Sequence, residues 1–375
     1  MAVNATFSYH SPQSQMLSES SIAGLSTPSL IAFAVTFGSI KILFPNAARL
    51  GLVDHPDGQR KLHSDSKPVV GGLGMLAGIM PALLLFSERS ISRIGFLAAL
   101  LIVMVTGAVD DRRHLGFKFR FMLQALATLL VLATGGHPLQ SFGDLFGLGQ
   151  IQTGVAAWSL TIICIVGVVN AVNMIDGLDG LAGSISFIAF VAYGLLAAVS
   201  GRPDLQLLCA VFATAIAAFL YFNWNPARLF MGDAGSMGIG FTLAWVAVEL
   251  TRPGTAISVS PVAVLLVIAV PVADTLVVML KRIIARKHPF HPDRNHVHHI
   301  LQAMSFGHRG SVLFIAVLTI ASAGIAVSGT LLHIPDAILF DIWVLGFLLY
   351  ALASYNVKPM HRMVCRLRRK FSASR

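Results

Sequence analysis

Long apolar stretches alternate with short polar ones along almost the whole chain. Eleven such stretches are present, and each is close to the length of about 20 residues that an α-helix needs to cross a bilayer. The pattern predicts an all-α integral membrane protein with about 11 transmembrane helices. The predicted spans fall near residues 22–44, 69–87, 91–109, 119–135, 154–170, 181–200, 204–222, 235–251, 258–280, 312–331 and 335–354.

Composition indicates that lipid is the main solvent of this chain. Hydrophobic residues make up 55% of the sequence and charged residues only 12%, whereas soluble domains carry about 25% charged residues. We expect a polar N-terminal tail over residues 1–21, a multi-span membrane domain over 22–354 and a basic cytoplasmic tail over 355–375. The three cysteines have no paired spacing, so no disulfide framework is expected.

Positive charge is concentrated between alternate spans. Segments 45–68, 110–120, 223–234, 281–311 and the tail from 355 contain 22 of the 27 Lys and Arg residues. Because cytoplasmic loops carry the excess of Lys and Arg, this asymmetry predicts a cytoplasmic C-terminus and an N-terminus outside. Topology alone explains most of the net charge of +10, and the remainder would attract anionic headgroups and phosphorylated substrates.

Acidic and histidine residues collect on the same predicted side. Topology does not need Asp or His there, and carboxylates at the ends of apolar segments are costly unless they have a function. We therefore expect a polar active site on the cytoplasmic face, with the opposite face nearly free of polar chemistry.

Two groups of oxygen-bearing side chains follow predicted spans. Asp110 and Asp111 end the third span in VTGAVDDRRHLG, where a solvated helix end beside two arginines is an equally good interpretation. After the fifth span, NAVNMIDGLDGLAG repeats such side chains every three residues, which places them on one face if the segment is helical. Packing explains this second group poorly. Its members are Asn170, Asn173, Asp176 and Asp179.

Two further motifs suggest phosphate chemistry. Asp233 lies between Gly232 and Gly235 just before the eighth span, where glycines let the backbone approach a ligand and the helix N-terminus favours a phosphate. The segment HPFHPDRNHVHHIL contains Arg294 and three histidines, which are His296, His298 and His299. Tetrahedral zinc usually draws its ligands from more separated positions, so donors to phosphate oxygens are the better interpretation of these histidines.

Hard oxygen ligands together with cationic donors suit Mg²⁺ bridging substrate phosphates, with Mn²⁺ as a substitute. A metal and such donors are the usual components of phosphoryl transfer. Taken in order, the four motifs resemble the polyprenyl-phosphate N-acetylhexosamine-1-phosphate transferase family over roughly residues 45–330. In that family a pocket open to the cytoplasm binds a UDP-amino sugar, and undecaprenyl phosphate attacks its β-phosphorus with release of UMP.

The resemblance implies a role for each motif. It makes Asp233 the main magnesium ligand with Asn170 as a partner. It also implies that Asp110 and Asp111 position or deprotonate the lipid phosphate, and that Asp111 helps to hold the metal. It places Asp176 and Asp179 on the nucleotide and metal side of the pocket. The implied substrate-binding residues are Lys61, His63, Asn173, Arg294, His296, His298 and His299.

The segment PDRNHVHH resembles the branch of the family that starts O-antigen, common-antigen or teichoic-acid-type polymers, which makes UDP-GlcNAc the leading donor and leaves related acetamido sugars open. His114 stands where several members have a third Asp. The implied partners are the UDP-sugar, undecaprenyl phosphate and the bilayer of a bacterial inner membrane, with no nucleic acid; a homodimer stays open. Direct attack by the lipid phosphate is our hypothesis, with a covalent Asp intermediate as the alternative.

A transporter is the strongest rival from another class, because many spans with charged residues would also suit one. Transporters usually place coupling charges near the bilayer midplane and often contain inverted repeats, whereas the acids here gather at one surface and no repeat is evident. A CDP-alcohol phosphotransferase is disfavoured because DGLDGLAG lacks the Ala-Arg that its motif requires after the first DG.

Overall fold

The computed structural model describes residues 12–54, 66–288 and 296–355, with side chains from residue 24 onward. Helices dominate it, and the described part contains one short antiparallel pair of strands, β1 (Val53–Asp54) and β2 (Lys67–Pro68). The all-α prediction is confirmed. The helices are α1 (Pro12–Asn46), α2 (Gly71–Phe86), α3 (Ile91–Arg113), α4 (Phe117–Ala133), α5 (Ala157–Ile175), α6 (Leu181–Val199), α7 (Pro203–Asn223), α8 (Gly232–Leu250), α9 (Pro261–Val267), α10 (Ala269–Ile284), α11 (Val297–Ala303), α12 (His308–Leu331) and α13 (Asp336–Tyr355).

Each predicted apolar segment coincides with a helix or a helix pair. Among the described residues, seven helices are long and apolar enough to cross a membrane, and the number rises to eight if α9 and α10 form one broken span. Multiple apolar helices make this a multi-pass membrane protein, while the count of eleven spans stays a prediction. The helix α1 begins at Pro12, so it includes the second half of the segment that we expected to be a polar N-terminal tail. The basic tail from residue 356 lies outside the described residues.

The helix α8 forms the centre of the bundle. Every residue from Ala234 to Leu250 is buried, and α3 and α5 are its main neighbours. A helix that is covered all round needs close neighbours rather than a single apolar face. Glycines provide them, because a Cβ on Gly107 of α3 would overlap the backbone of Ala234, and one on Gly72 of α2 would overlap that of Gly235.

The predicted span at 258–280 is not one straight helix. Its two parts, α9 and α10, meet at Ile268 with a bend of 84°. Pro271 lies in the first turn of α10, and proline lacks the N–H that would bond the carbonyl four residues earlier, with which its ring also clashes. That carbonyl belongs to Val267, the last residue of α9. The bend follows from this local break.

We expect Gly107→Ala to lower the unfolding temperature of the protein in detergent by several degrees. The added Cβ overlaps the backbone of Ala234, and overpacking of this kind costs about 1–3 kcal/mol. Fluorescence-detected size exclusion after heating would measure the change. Gly167→Ala in α5 is the matched control, since a Cβ there meets no atom within 4 Å. Equal unfolding temperatures for the two variants would contradict the close contact of α3 with α8.

Candidate active site

The polar residues meet at one end of the helix bundle. This end contains the C-terminal ends of α3 and α5 and the N-terminal ends of α4, α8 and α11. Hydrogen bonds between these ends connect segments more than 100 residues apart in sequence. We use the name acidic cluster for the four carboxyl groups that gather here, which are Asp110, Asp111, Asp176 and Asp233.

The carboxylate of Asp111 caps the central helix α8. Its Oδ1 accepts from the backbone N–H of Asp233 at 2.8 Å, and its Oδ2 accepts from that of Ala234 at 3.3 Å. The first N–H groups of a helix have no intrahelical partner and attract negative charge. Gly232 has φ of +74°, and a Cβ there would collide with Asp111, so the turn needs glycine.

This cap corrects one sequence-based expectation. We expected the N-terminus of this helix and its flanking glycines to receive a substrate phosphate. In the structure a carboxylate of the same chain takes the two N–H groups of Asp233 and Ala234, and the glycines admit neighbouring protein atoms. Their role here is packing.

Asp233 lies in the first turn of α8 and faces the ends of α4 and α5. Its Oδ1 accepts from Nδ2 of Asn173 at 2.6 Å, and the same amide donates to the hydroxyl of Ser236 at 2.9 Å. The Oδ2 atom has a longer contact of 3.5 Å with Nη1 of Arg120. Arg120 contacts both Asp110 and Asp233. Of these two acids Asp233 is the accessible one, because 31% of its side chain is exposed and only 4% of that of Asp110.

Sequence reasoning missed Arg120, which joins two acids of the cluster. Its Nη1 donates to Oδ2 of Asp110 at 2.6 Å and lies 3.5 Å from Oδ2 of Asp233. Its Nε is buried and has no hydrogen-bond partner among the described residues. One feature of the sequence could have indicated Arg120. It is a basic residue in the first turn of an apolar helix, and it lies four positions before another polar residue, the buried Gln124.

Asp110 is almost fully buried, with 3% of its surface exposed. Besides Arg120, its carboxylate accepts from the backbone N–H of Leu115 at 2.5 Å. It therefore holds the turn between α3 and α4 and sets the position of Arg120. Its predicted part in binding the lipid phosphate stays a prediction.

The Asn and Asp residues of the second motif divide between a helix and a turn. Asn170 and Asn173 lie in the last turns of α5, which ends at Ile175, while Asp176 and Asp179 lie in the following turn. The side chain of Asn170 forms two hydrogen bonds among the described residues. Both are donated by its Nδ2, one to Oε1 of Gln124 and one to the carbonyl of Val166. That arrangement leaves its Oδ1 as the atom that can face a cation.

The two acids of the turn have different surroundings. Burial, followed by repulsion from Asp111 and then Asp179, raises the pKa of Asp176 to about 7. Asp179 is tied to protein, since its Oδ2 accepts from Nδ2 of Asn225 at 3.1 Å and from the N–H of Ala227 at 2.9 Å. The structure gives Asp179 a role in holding the loop before α8, and its predicted nucleotide contact stays a prediction.

The three histidines lie beside this turn and are mostly covered. His296 and His298 are 6% and 2% exposed, and a Cβ on Gly177 would overlap the ring of His298. Burial and then the neighbouring His299 lower the pKa of His298 to about 3, so this ring is neutral at pH 7. Lys61, His63 and Arg294, which we predicted to bind substrate, lie outside the described residues.

The opposite end of the bundle is not as free of polar chemistry as expected. Arg202 donates from Nη2 to Oε2 of Glu249 at 3.2 Å and to Oδ2 of Asp204 at 3.0 Å. Oε1 of Glu249 accepts from the backbone N–H of His137 at 3.1 Å. The group ties the loop after α4 to the ends of α7 and α8, and its partners are widely separated in sequence.

The pattern of glycosyl transferase family 4 matches residues 93–251. The chain is 32% identical over 351 residues to the undecaprenyl-phosphate alpha-N-acetylglucosaminyl 1-phosphate transferase of Yersinia pestis, which covers 92% of this chain and 96% of the relative. The chain belongs to glycosyl transferase family 4. Proteins of the same name from Escherichia coli K12 and Pasteurella multocida are 31% and 32% identical, over 88% and 91% of this chain and 90% and 96% of theirs.

Membership of family 4 confirms the resemblance that was drawn from the motifs. The matched region runs from α3 to α8 and therefore contains the acidic cluster, Arg120 and both asparagines. The histidines at 296–299 lie beyond it, although the alignments with the curated relatives cover most of the chain.

The acidic cluster fits a magnesium ion that completes its coordination with substrate. Within residues 12–54, 66–288 and 296–355, no three His, Cys, Asp or Glu side chains converge on one point as metal ligands. Mg²⁺ is usually held by one or two carboxylates plus water and substrate phosphates. Asp233 is accessible, Asp111 is adjacent to it, and Oδ1 of Asn170 is available. In the described part of the chain, the acidic cluster forms ion pairs with Arg120, which contacts Asp110 and Asp233. The carboxylates of the cluster still repel one another, and a divalent cation would relieve that repulsion.

We expect the buried, neutral His298 to make the protein sensitive to acid. Its pKa is lowered in the folded state, so below pH 6.5 the unfolded chain takes up a proton that the folded chain does not. Stability conferred by neutral His298 is complete above pH 6.5 and falls by about 2 kcal/mol by pH 5. The unfolding temperature in detergent should therefore drop less between pH 7.5 and pH 5 in His298→Asn than in the wild type.

The matched control for this prediction is His333→Asn. His333 is exposed and has a positive φ that asparagine tolerates, so this variant should follow the wild type at every pH. Parallel curves for His298→Asn and the wild type would contradict the prediction.

Proposed function

We propose that this protein transfers N-acetylglucosamine-1-phosphate from UDP-GlcNAc to undecaprenyl phosphate in the bacterial inner membrane, with Mg²⁺. A phosphate oxygen of the lipid attacks the β-phosphorus of the donor, the bond between the two donor phosphates breaks, and UMP leaves with the electron pair. The observation that carries the proposal is the acidic cluster with Arg120 at one end of a family 4 membrane bundle. Initiation of an O-antigen or related surface polymer is part of this proposal.

The charge and exposure of each residue indicate whether it would bind the metal or a substrate phosphate. Asp233 and Asp111, with Asn170, would hold Mg²⁺, which neutralises phosphate charge when it is bound. Arg120 bridges Asp110 and Asp233, and 23% of its side chain is exposed, so that part of the guanidinium can meet a ligand. Such a donor is suited to a phosphate oxygen, because hydrogen bonds to charged groups are the strong ones.

Asp110 is the wrong residue for a general base in this arrangement. Its carboxylate is 3% exposed and already accepts from Arg120 and from the N–H of Leu115. A phosphate monoester has its second pKa near about 6, so the attacking lipid phosphate needs little help to lose its proton. Asp110 instead positions Arg120, and attack by the lipid phosphate is direct.

The orientation proposed for the bundle places this site on the cytoplasmic face. The support is the distribution of charge, because segment 110–120, which contains four Lys and Arg residues, lies at the same end of the bundle as the site. UDP-sugars are charged and water-soluble, so a donor of this kind reaches the site from the aqueous side. The acceptor arrives from the bilayer.

The test supplies purified protein in detergent with undecaprenyl phosphate, radiolabelled UDP-GlcNAc and Mg²⁺. We expect label in the organic phase and an equal amount of released UMP, both lost with EDTA and in Asp233→Asn. Asp341→Asn is the control, because this acid is exposed on α13 and remote in sequence from the cluster. Its activity should equal that of the wild type.

Other outcomes would change or reject the proposal. Lipid-borne label with UDP-GalNAc but not with UDP-GlcNAc would keep the reaction and correct the sugar. UMP release without lipid-borne label would contradict the acceptor. No product with any UDP-acetamido sugar, in protein that is folded by its unfolding temperature, would reject the transferase and favour a transporter.

We expect Arg120→Gln to lower kcat/KM by about 100-fold. The change leaves the buried Asp110 without its cationic partner and removes a donor to phosphate, and a charged hydrogen bond contributes about 1.5–3 kcal/mol. Lys118→Gln changes an exposed residue of the same helical turn and should stay within threefold of the wild type. UMP release measures both variants, and their unfolding temperatures establish that they are folded. An Arg120→Gln enzyme within threefold of the wild type would contradict the role of Arg120.

A further inference from the structure

A buried carboxylate outside the acidic cluster connects three helices. Asp274 lies on α10 in the middle of the apolar stretch VPVADTLVV, and only 1% of it is exposed. A buried carboxylate is costly unless donors surround it. Asp274 has three such partners: the ring of His296 and the backbone N–H of the adjacent Val297, and the hydroxyl of Tyr350 on another helix.

The three contacts are short and shared between the two carboxylate oxygens. Nδ1 of His296 lies 2.7 Å from Oδ2, while Oδ1 accepts from Val297 at 2.8 Å and from Tyr350 at 2.5 Å. Val297 is the first residue of α11, so Asp274 caps this helix from another one. Tyr350 belongs to α13, which brings a distant part of the chain to the same carboxylate.

The carboxylate also determines which nitrogen of His296 carries hydrogen. An ionised carboxylate can only accept, so His296 must donate to it from Nδ1. Its Nε2 then points away from Asp274, and the hydrogen bond at Nδ1 fixes the orientation of the ring. The ring of His298 is nearly parallel to that of His296, with an interplanar angle of 7°. It lies against Gly177, in the turn that contains Asp176. His296 therefore lies beside the histidine that contacts the turn of Asp176.

Hydrogen bonding rather than packing holds Asp274 on the side of α13. A cavity of about 290 Å³ lies between α9 and α10 on one side and α12 and α13 on the other, and its wall includes Asp274, Val297 and Tyr350. Side chains that border an open space lose packing contacts there. The Tyr350 hydroxyl is thus the group that steadies the carboxylate on this side.

We propose that Asp274 is a positioning residue for the site and that Tyr350 holds it in place. Asp274 sets the tautomer and direction of His296 and fixes the start of α11, so that Nε2 of His296 is presented to the diphosphate of the donor. The proposal rests on the proposed function for the identity of that ligand. It adds two residues of α10 and α13 that the sequence motifs do not contain.

The first test compares Tyr350→Phe with the wild type in the transfer assay. Loss of one hydrogen bond weakens an interaction by about three- to tenfold. Because the loss of the Tyr350 hydroxyl weakens binding of the donor alone, KM for UDP-GlcNAc should rise by this factor, while kcat stays within twofold of the wild type. Tyr355→Phe, an exposed tyrosine on the same helix, is the matched control and should change neither constant. Unchanged KM in Tyr350→Phe would overturn the proposal.

A double-mutant cycle separates positioning from general stabilisation. In a His296→Gln background, Tyr350→Phe should have no further effect on KM, because the residue through which it acts is gone. Unfolding temperatures of all four proteins establish that the comparison is between folded enzymes. The same fold-change in KM in both backgrounds would show that Tyr350 acts elsewhere and would overturn the proposal.

A measurement without substrate keeps this proposal distinct from the proposed function. In protein labelled with ¹⁵N-histidine, the His296 signals are identified by their loss in His296→Gln. We expect a protonated Nδ1 in the wild type and a changed proton distribution in Asp274→Asn. This result with no lipid product would leave the positioning intact and reject the transferase, whereas an unprotonated Nδ1 in the wild type would overturn the positioning itself.

Discussion

The contact on which the rest of the site depends is the cap of α8 by Asp111. One carboxylate accepts from the backbone N–H groups of both Asp233 and Ala234, which fixes where the central helix begins. Asp233 is presented from the first turn of that helix, so its place is set by the same bonds. Gly107 and Gly72 let α3 and α2 approach the helix backbone closely enough for the cap to form.

A site built in this way concentrates negative charge. Asp110, Asp111, Asp176 and Asp233 gather at one end of the bundle, and the raised pKa of Asp176 reflects the burial and repulsion that result. Arg120 relieves two members of the cluster. The arrangement is costly for the protein alone, and a cation bound there would relieve the cost, as expected where function rather than stability has shaped the residues.

The part of the site that contains the histidines is held by a second set of hydrogen bonds, which centre on Asp274. The histidines lie at the start of the short helix α11 or just before it. Asp274 of α10 holds the first turn of this helix, and Tyr350 of α13 steadies that carboxylate. The 84° bend between α9 and α10 belongs to the same part of the bundle. Two carboxylates, the half-buried Asp111 and the buried Asp274, therefore cap helices other than their own, and between them they position the acids and the histidines.

The sequence by itself determined the helical membrane class, the end of the bundle with the chemistry and most of the acids. It could do so because hydropathy and the length of an apolar run are local properties, and because a carboxylate is recognisable wherever it interrupts such a run. Only the tertiary structure decided the partners. It assigned the α8 N-terminus to Asp111 instead of a phosphate, joined Arg120 to Asp110, tied Asp179 to the loop before α8, and bound His296 to Asp274. Each of these contacts joins atoms whose distance depends on how helices pack, which no periodicity within one helix encodes.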